Sequence, residues 1–127
     1  MTMKRNSILL IASTAFFVGL DMLSKDIFYN LRYLNDTTLI RPVLNKGISR
    51  SLPVPFILII GISIIGIGAF IRLFAKKKIN RLITAFLIAG TVGNMIDRFI
   101  YGGVRDFINI GIFNFPIFNI ADIMLSI

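Results

Sequence analysis

Apolar residues in this chain come in long blocks, and most of the charged residues lie between the blocks rather than inside them. Lys4 and Arg5 precede an apolar stretch that begins at Ser7, reaches Leu20 and resumes at Leu23 beyond Asp21. A secretory signal peptide opens the same way but ends in a small-residue cleavage site. Here the chain continues Asp21-Met22-Leu23-Ser24-Lys25, so an uncleaved first membrane helix is predicted over about residues 6–24. Ser51 to Ile71 holds 21 residues without a charge, enough to cross the roughly 30 Å of a bilayer's hydrocarbon. Pro53 and Pro55 suit the start of that helix, where a missing backbone donor costs little, and it is placed at about 54–73. A third helix is predicted over about 82–101, with Asp97 and Arg98 near its end and Gly102-Gly103 to break it. Pro116 opens a last apolar run, about 116–127, read as a fourth helix. Its 12 residues reach about 18 Å at 1.5 Å per residue. Such a helix either stops partway or continues past Ile127; continuation is the expectation.

Between these blocks, residues 25–53 form a mixed loop. Its Thr37 to Val43 portion has strand character, because Thr, Ile and Val suit an extended, half-buried surface. Val104 to Phe115 reads as short, apolar and irregular, punctuated by Asn109, Gly111 and Asn114. The fold class that follows is an all-α membrane protein with four transmembrane helices, the last incomplete at Ile127, in a single domain over residues 1–127.

Composition agrees with that picture. Hydrophobic residues make up 56% of the 127 and charged ones only 16%, against about 25% charged in soluble domains. The net charge of +8 could suggest nucleic acid. No nucleic-acid module is recognisable, however, and the basic residues flank apolar runs, where they meet anionic head groups. Lys4, Arg5, Arg72, Lys76, Lys77, Lys78 and Arg81 fall on one side of the predicted membrane. Lys25, Arg32, Arg41, Lys46, Arg50, Arg98 and Arg105 fall on the other. The numbers tie, so density decides: the 72–81 turn packs its basic residues most closely and is the stronger cytoplasmic signal. The N-terminus is expected in the cytoplasm and the longer loops outside.

Missing residue types narrow the chemistry. There is no Cys, His, Trp or Glu, and all six acids are aspartates: Asp21, Asp26, Asp36, Asp97, Asp106 and Asp122. Ser-His-Asp and Cys-His nucleophile systems cannot be built, nor can the usual zinc sites. Neither metal nor cofactor is expected.

Ionisable groups at membrane depth cost about 2.5–3.5 kcal/mol on insertion scales and need a reason to be there. Asp21 and Lys25 stand four apart with the acid first, the better order for a helical ion pair; they either close the first helix or help to shape a site. Asn94, Asp97 and Arg98 share part of one helix face, with Gly90 and Gly93 allowing close approach beside them. That cluster is either helix packing or an organiser of carboxylates. Asp106 alone in a loop would ordinarily be solvated. Asp122, six residues past Pro116 with Asn119 on its face, needs a partner. If Asp106 folds back over that helix the two carboxylates could share a proton, because a close pair cannot both ionise. The ionised member of such a pair accepts a proton from water, and the protonated member hydrogen-bonds a scissile carbonyl.

Taken together, these segments resemble the lipoprotein signal peptidase (signal peptidase II) family along almost the whole chain. Asp21-Met22-Leu23-Ser24-Lys25 resembles its Asp-x-x-Ser/Thr-Lys motif, and Asn45-Lys46-Gly47 its Asn-x-Gly motif. Gly93-Asn94-Met95-Ile96-Asp97-Arg98 is similar to Gly-Asn-x-x-Asp-Arg. Val104-Arg105-Asp106-Phe107 and Phe118-Asn119-Ile120-Ala121-Asp122 are similar to its two aspartate motifs. The resemblance implies four transmembrane helices with a small extracytoplasmic β-element in the bacterial inner membrane. It also implies removal of the signal peptide of diacylated prolipoproteins just before the lipidated cysteine. Asp106 and Asp122 would be the catalytic pair, with Asp21, Lys25, Asn45, Gly47, Asn94, Asp97, Arg98 and Asn119 lining or bracing the site. Partners would be those prolipoproteins and membrane lipid, with no nucleic acid, and the chain would act as a monomer. Two positions depart from the family pattern: Arg50 stands where an aromatic is common, and Ile123 where Ser often follows the second aspartate.

The residues also admit other readings. A small proton-coupled multidrug-type transporter would use Asp21 as its carrier carboxylate, and a structural or assembly subunit would need no site. A Ser-Lys protease would need Ser24 with Lys25, or Ser49 with Lys46. Neighbours in a helix point to different faces, which disfavours the first of those pairs.

Overall fold

The computed structural model describes residues 2–34, 37–47 and 54–127. Readings that fall on Asp36, Ser49, Arg50 or Pro53 lie outside the described residues. Helix α1 (Met3–Lys25) starts on Thr2, whose hydroxyl accepts the Arg5 N–H at 3.3 Å, and runs on into one π-helical turn, Asp26–Asn30. Helices α2 (Phe56–Ala75) and α3 (Arg81–Tyr101) follow. Met3–Asn30, Phe56–Ala75 and Arg81–Tyr101 are each long and apolar enough to cross a membrane. Hydroxyls in such helices need a partner. Ser13, Thr14, Ser63 and Thr91 each donate to the carbonyl four residues back.

Helix α3 is the central element, packed against α1, α2 and the short last helix. Its buried stripe, Ala85, Ala89, Gly93 and Asp97, repeats every four residues and so stays on one face. The glycines permit the approach the sequence suggested. A Cβ at Gly93 would collide with Asp21 Oδ2, and one at Gly90 would lie 2.7 Å from the Ala121 carbonyl oxygen. Asn80 caps the start of α3 by accepting the Ile83 N–H at 2.9 Å. Gly102, at φ 72°, ends the helix in the left-handed conformation that glycine adopts without steric cost.

Strands β1 (Ile40–Asn45) and β2 (Val104–Ile108) pair antiparallel, setting Val43 opposite Asp106, Leu44 opposite Arg105 and Asn45 opposite Val104. The register slips between Ile40 and Val43, where Pro42 has no N–H to give the ladder. Strand character expected at Thr37 to Val43 is therefore found slightly later. The 104–108 strand was hidden in a segment read as irregular, since a short apolar run shows no period until its partner is known.

The last helix, α4, covers Ile120–Leu125, not the whole of 116–127. Pro116 does not open it, because the chain stays extended through Phe118. The Phe118 N–H donates to the Ile108 carbonyl at 3.1 Å, and the Phe118 carbonyl accepts from the Ile108 N–H at 2.8 Å. Asn119 then caps the helix. This join between β2 and α4 brings the two aspartate motifs together.

Candidate active site

Asp106 is carried by β2 and is 4% exposed. Asp122 occupies the third position of α4, where its carboxylate and the Asn119 side chain form a reciprocal cap. Asn119 Oδ1 accepts the Asp122 N–H at 2.9 Å, and Asp122 Oδ2 accepts the Asn119 N–H at 3.1 Å. The amide nitrogen of Asn119 is thereby left to donate elsewhere: to Asp106 Oδ1 at 2.8 Å, to Asn94 Oδ1 at 3.1 Å and to the Arg105 carbonyl at 3.3 Å. Asn94 Nδ2 donates to Asp122 Oδ1 at 3.1 Å. Two asparagines thus tie both carboxylates into one network.

Both carboxylates line a cavity of about 710 Å³ between α2, α3 and α4, with Asn45, Asn94 and Arg98 also in its wall. The remaining wall is mainly apolar, including Ile59, Ile62, Phe70, Phe118 and Ile123. Asn45 also hydrogen-bonds Asp106, and the Gly47 N–H holds Asn45 Oδ1 at 3.0 Å. Arg98 directs its charge at Asp122, Asp106 and Asp97. Burial, then the charge of Asp122, pushes the Asp106 carboxyl from an ordinary 3.8 up to about 7, while hydrogen bonds from Asn45 and Asn119 and the charge of Lys25 pull the other way.

Behind this wall lies a second, fully buried layer. Lys25 Nζ sits 2.6 Å from Asp21 Oδ2 and 3.3 Å from Asp97 Oδ2, and donates to Asn94 Oδ1 at 3.3 Å. Asp21 Oδ1 accepts the Ala121 N–H at 2.9 Å. The Asp21–Lys25 pair therefore ties the end of α1 to Asn94 of α3 and to the start of α4. Asp97 does not reach the carboxylate pair. It binds Arg105, a residue the sequence reading passed over as one more loop cation. Successive strand residues point to opposite faces, so Arg105 faces the helix bundle because Asp106 faces the cavity. That alternation was the available signal, and it required knowing that 104–108 is a strand. Among the described residues, no group of three or more acids, histidines or cysteines is gathered as a metal site would require.

Three membrane-length helices, a two-stranded sheet at one end and a polar centre beneath it define a multi-pass membrane protein. The fold is similar to that of a bacterial membrane enzyme solved by the in meso method at 2.3 Å resolution: TM-score 0.76 and 29% identity, over 93% of this chain and 80% of that one. A second bacterial membrane enzyme, solved at 1.9 Å, gives a TM-score of 0.70 at 28% identity. Residues 13–127 match the family model described as signal peptidase (SPase) II. A lipoprotein signal peptidase of Thermodesulfovibrio yellowstonii is 34% identical over 128 residues, 94% of this chain and 82% of that protein. Those of Synechocystis and Brevibacillus brevis are 41% and 42% identical, over 50% and 57% of this chain. These two matches span only 39% and 49% of the relatives' own lengths. The chain belongs to the signal peptidase II family.

The transporter alternative finds no support among these relatives. Its required carboxylate, Asp21, is fully buried and paired with Lys25. A Ser24–Lys25 nucleophile is not assembled either: the Ser24 hydroxyl donates to the Asp21 carbonyl at 2.8 Å, and Lys25 is held among acids.

Proposed function

We propose that this chain is a membrane aspartic endopeptidase that removes the signal peptide of diacylglyceryl-modified prolipoproteins by cleaving before the lipidated cysteine. Asp106 and Asp122 are the catalytic pair. The observation that carries this reading is that both carboxylates open onto one cavity and are joined through Asn119 and Asn94. Family membership supplies the substrate class.

The chemistry follows from the unequal surroundings of the pair. Asp106, with its raised proton affinity, holds the proton and hydrogen-bonds the scissile carbonyl oxygen. Asp122, which lines the same cavity, has the role of base and takes a proton from water as the water oxygen bonds to the carbonyl carbon. The Asp106 proton passes to the carbonyl oxygen, giving a neutral tetrahedral intermediate. Asp122 then returns its proton to the amide nitrogen, the C–N bond breaks, and the re-forming carbonyl gives its proton back to Asp106. Arg98 offsets negative charge near both carboxylates, and Asn45, Asn94 and Asn119 fix their orientation. Asp21, Lys25 and Asp97 brace the site from behind, and Gly47 holds Asn45. No step calls for a metal or cofactor.

The same reading places the protein in the bacterial inner membrane as one monomeric protease domain, with the N-terminus in the cytoplasm and the active site near the outer face. The dense basic turn between α2 and α3 supports that orientation. The test is to incubate the purified protein with a diacylated prolipoprotein and follow loss of the signal peptide. A chain that inserts and folds but leaves the precursor intact overturns the proposal.

A further inference from the structure

Arg105 is 2% exposed, and every donor it has is taken. Its Nε–H is shared between Asp97 Oδ1 and Oδ2, both at 3.2 Å. One terminal nitrogen reaches Asp26 Oδ1 at 2.9 Å and Asn30 Oδ1 at 3.0 Å. The other reaches Asp97 Oδ1 at 2.9 Å and Met22 Sδ at 3.7 Å. A guanidinium has five N–H groups, and these contacts use all five. The Tyr101 ring packs 4.3 Å from the guanidinium carbon, and the Tyr101 hydroxyl accepts from Asn30 at 3.0 Å. Among the described residues that line the cavity Arg98 is present and Arg105 is not. Arg105 therefore has neither a free donor nor a path to substrate.

Its connections lead instead to the two carboxylates. The Arg105 N–H donates to Asp97 Oδ2 at 2.9 Å, its carbonyl accepts from Asn119 Nδ2 at 3.3 Å, and its next peptide unit carries Asp106. Asp97 is shared with Lys25, Lys25 with Asp21, and Asp21 takes the N–H of Ala121, the residue before Asp122. A chain of alternating charge, Asp26, Arg105, Asp97, Lys25 and Asp21, thus runs from the strand bearing Asp106 to the helix bearing Asp122. We infer that Arg105 is a positioning residue of the peptidase site, clamping β2 to the ends of α1 and α3 so that Asp106 is held at a fixed offset from Asp122. The inference rests on the reading of Asp106 and Asp122 as the catalytic pair. Lysine cannot replace it, because three donors on a point charge do not reproduce a planar fork that spans two acids.

The experiment measures kcat and KM for a diacylated prolipoprotein with the purified full chain, alongside the melting temperature of each variant. Displacing a catalytic group by about 1 Å costs on the order of 100-fold in rate. Arg105→Met is expected to lower kcat by about that factor and Arg105→Lys by about tenfold, with KM unchanged because the cavity wall is untouched. Asp26→Asn, at a side chain 57% exposed, is expected to fold as the parent does and to lower kcat several-fold. Parental kcat in Arg105→Met overturns the inference, and so does activity lost only in step with the folded fraction. If Arg105→Met does not fold, Arg105→Lys and Asp26→Asn decide it, and parental kcat in both overturns it. A parent chain that cleaves nothing removes the peptidase reading and this inference with it, whereas a parent that cleaves beside indifferent variants removes this inference alone.

Discussion

Asn119 and Asp122 hold each other. Each accepts the other's backbone N–H through a side-chain oxygen, at 2.9 Å and 3.1 Å. The arrangement is a capping box with Asp as the acid, worth about 1 kcal/mol to a helix start. Here it also orients the amide nitrogen of Asn119 toward Asp106. One element of local structure, the cap of α4, therefore sets the relation between the two carboxylates.

Asp106→Asn and Asp122→Asn should each abolish prolipoprotein cleavage, by at least about 10³-fold, since general acid–base steps alone contribute about 10²–10⁴. Both replacements keep the shape of the side chain, so insertion and melting should stay near those of the parent. The measurement is turnover of a diacylated prolipoprotein by each purified variant. Retained turnover in either one removes that residue from the catalytic pair.

The pH dependence follows from Asp106. Its carboxyl titrates at about 7 in the folded protein against an ordinary 3.8, so folding takes up a proton between those values. The stability it contributes is full below about 3.8 and is lost as pH rises through about 7. Activity should follow, because the proton that polarises the scissile carbonyl leaves in the same range. The charged neighbours are Asp122, Lys25 and Arg98, with Asn45 and Asn119 as hydrogen-bond donors. A profile of kcat/KM against pH should fall on the alkaline side of about 7; a flat profile there means that Asp106 does not act as the proton donor.

The spans were legible because they rest on length and apolar composition, which a sequence displays directly. Asp106, Asp122, Asn94 and Asn119 stood out through their motifs, and hydrogen bonds join the four side chains. The start of α4 was not legible: Pro116 looked like a helix opening, and only the pairing of Phe118 with Ile108 shows why the chain stays extended to Asn119. Arg105 was also missed. Its importance lies in four partners brought from Met22, Asp26, Asn30 and Asp97, and no local spacing announces such a gathering.

Gly93→Ala tests the close contact of α1 and α3. The new Cβ would overlap Asp21 Oδ2 and lie 3.1 Å from its carboxyl carbon, displacing an acid that holds both Lys25 and the Ala121 N–H. Overpacking of this kind costs about 1–3 kcal/mol. Gly61→Ala in α2 meets nothing within 4 Å and should be neutral or stabilising by up to about 1 kcal/mol. Melting of the two variants in the same detergent checks the contrast. Equal stability would mean that α1 and α3 do not approach so closely.

The last prediction concerns the substrate's lipid. Asp122 stands in the first turn of α4, and the cavity beside it is walled by Ile59 and Ile62 of α2 and by Ile123. A peptide bond brought to this wall must leave water, and each backbone group left unpaired there costs several kcal/mol. An acyl-modified cysteine next to the scissile bond offsets that cost, since buried lipid chain contributes about 0.8 kcal/mol per CH₂. The lipid also fixes depth, because the reacting carbonyl is then tethered close to the level of the head groups. The unlipidated precursor of the same sequence should therefore be cleaved on the order of 100-fold more slowly than the diacylglyceryl form. Comparing the two precursors at one enzyme concentration in one bilayer measures this directly. Equal rates would mean that the apolar wall recognises the signal peptide alone and that the lipid plays no part in bringing the bond to Asp106 and Asp122.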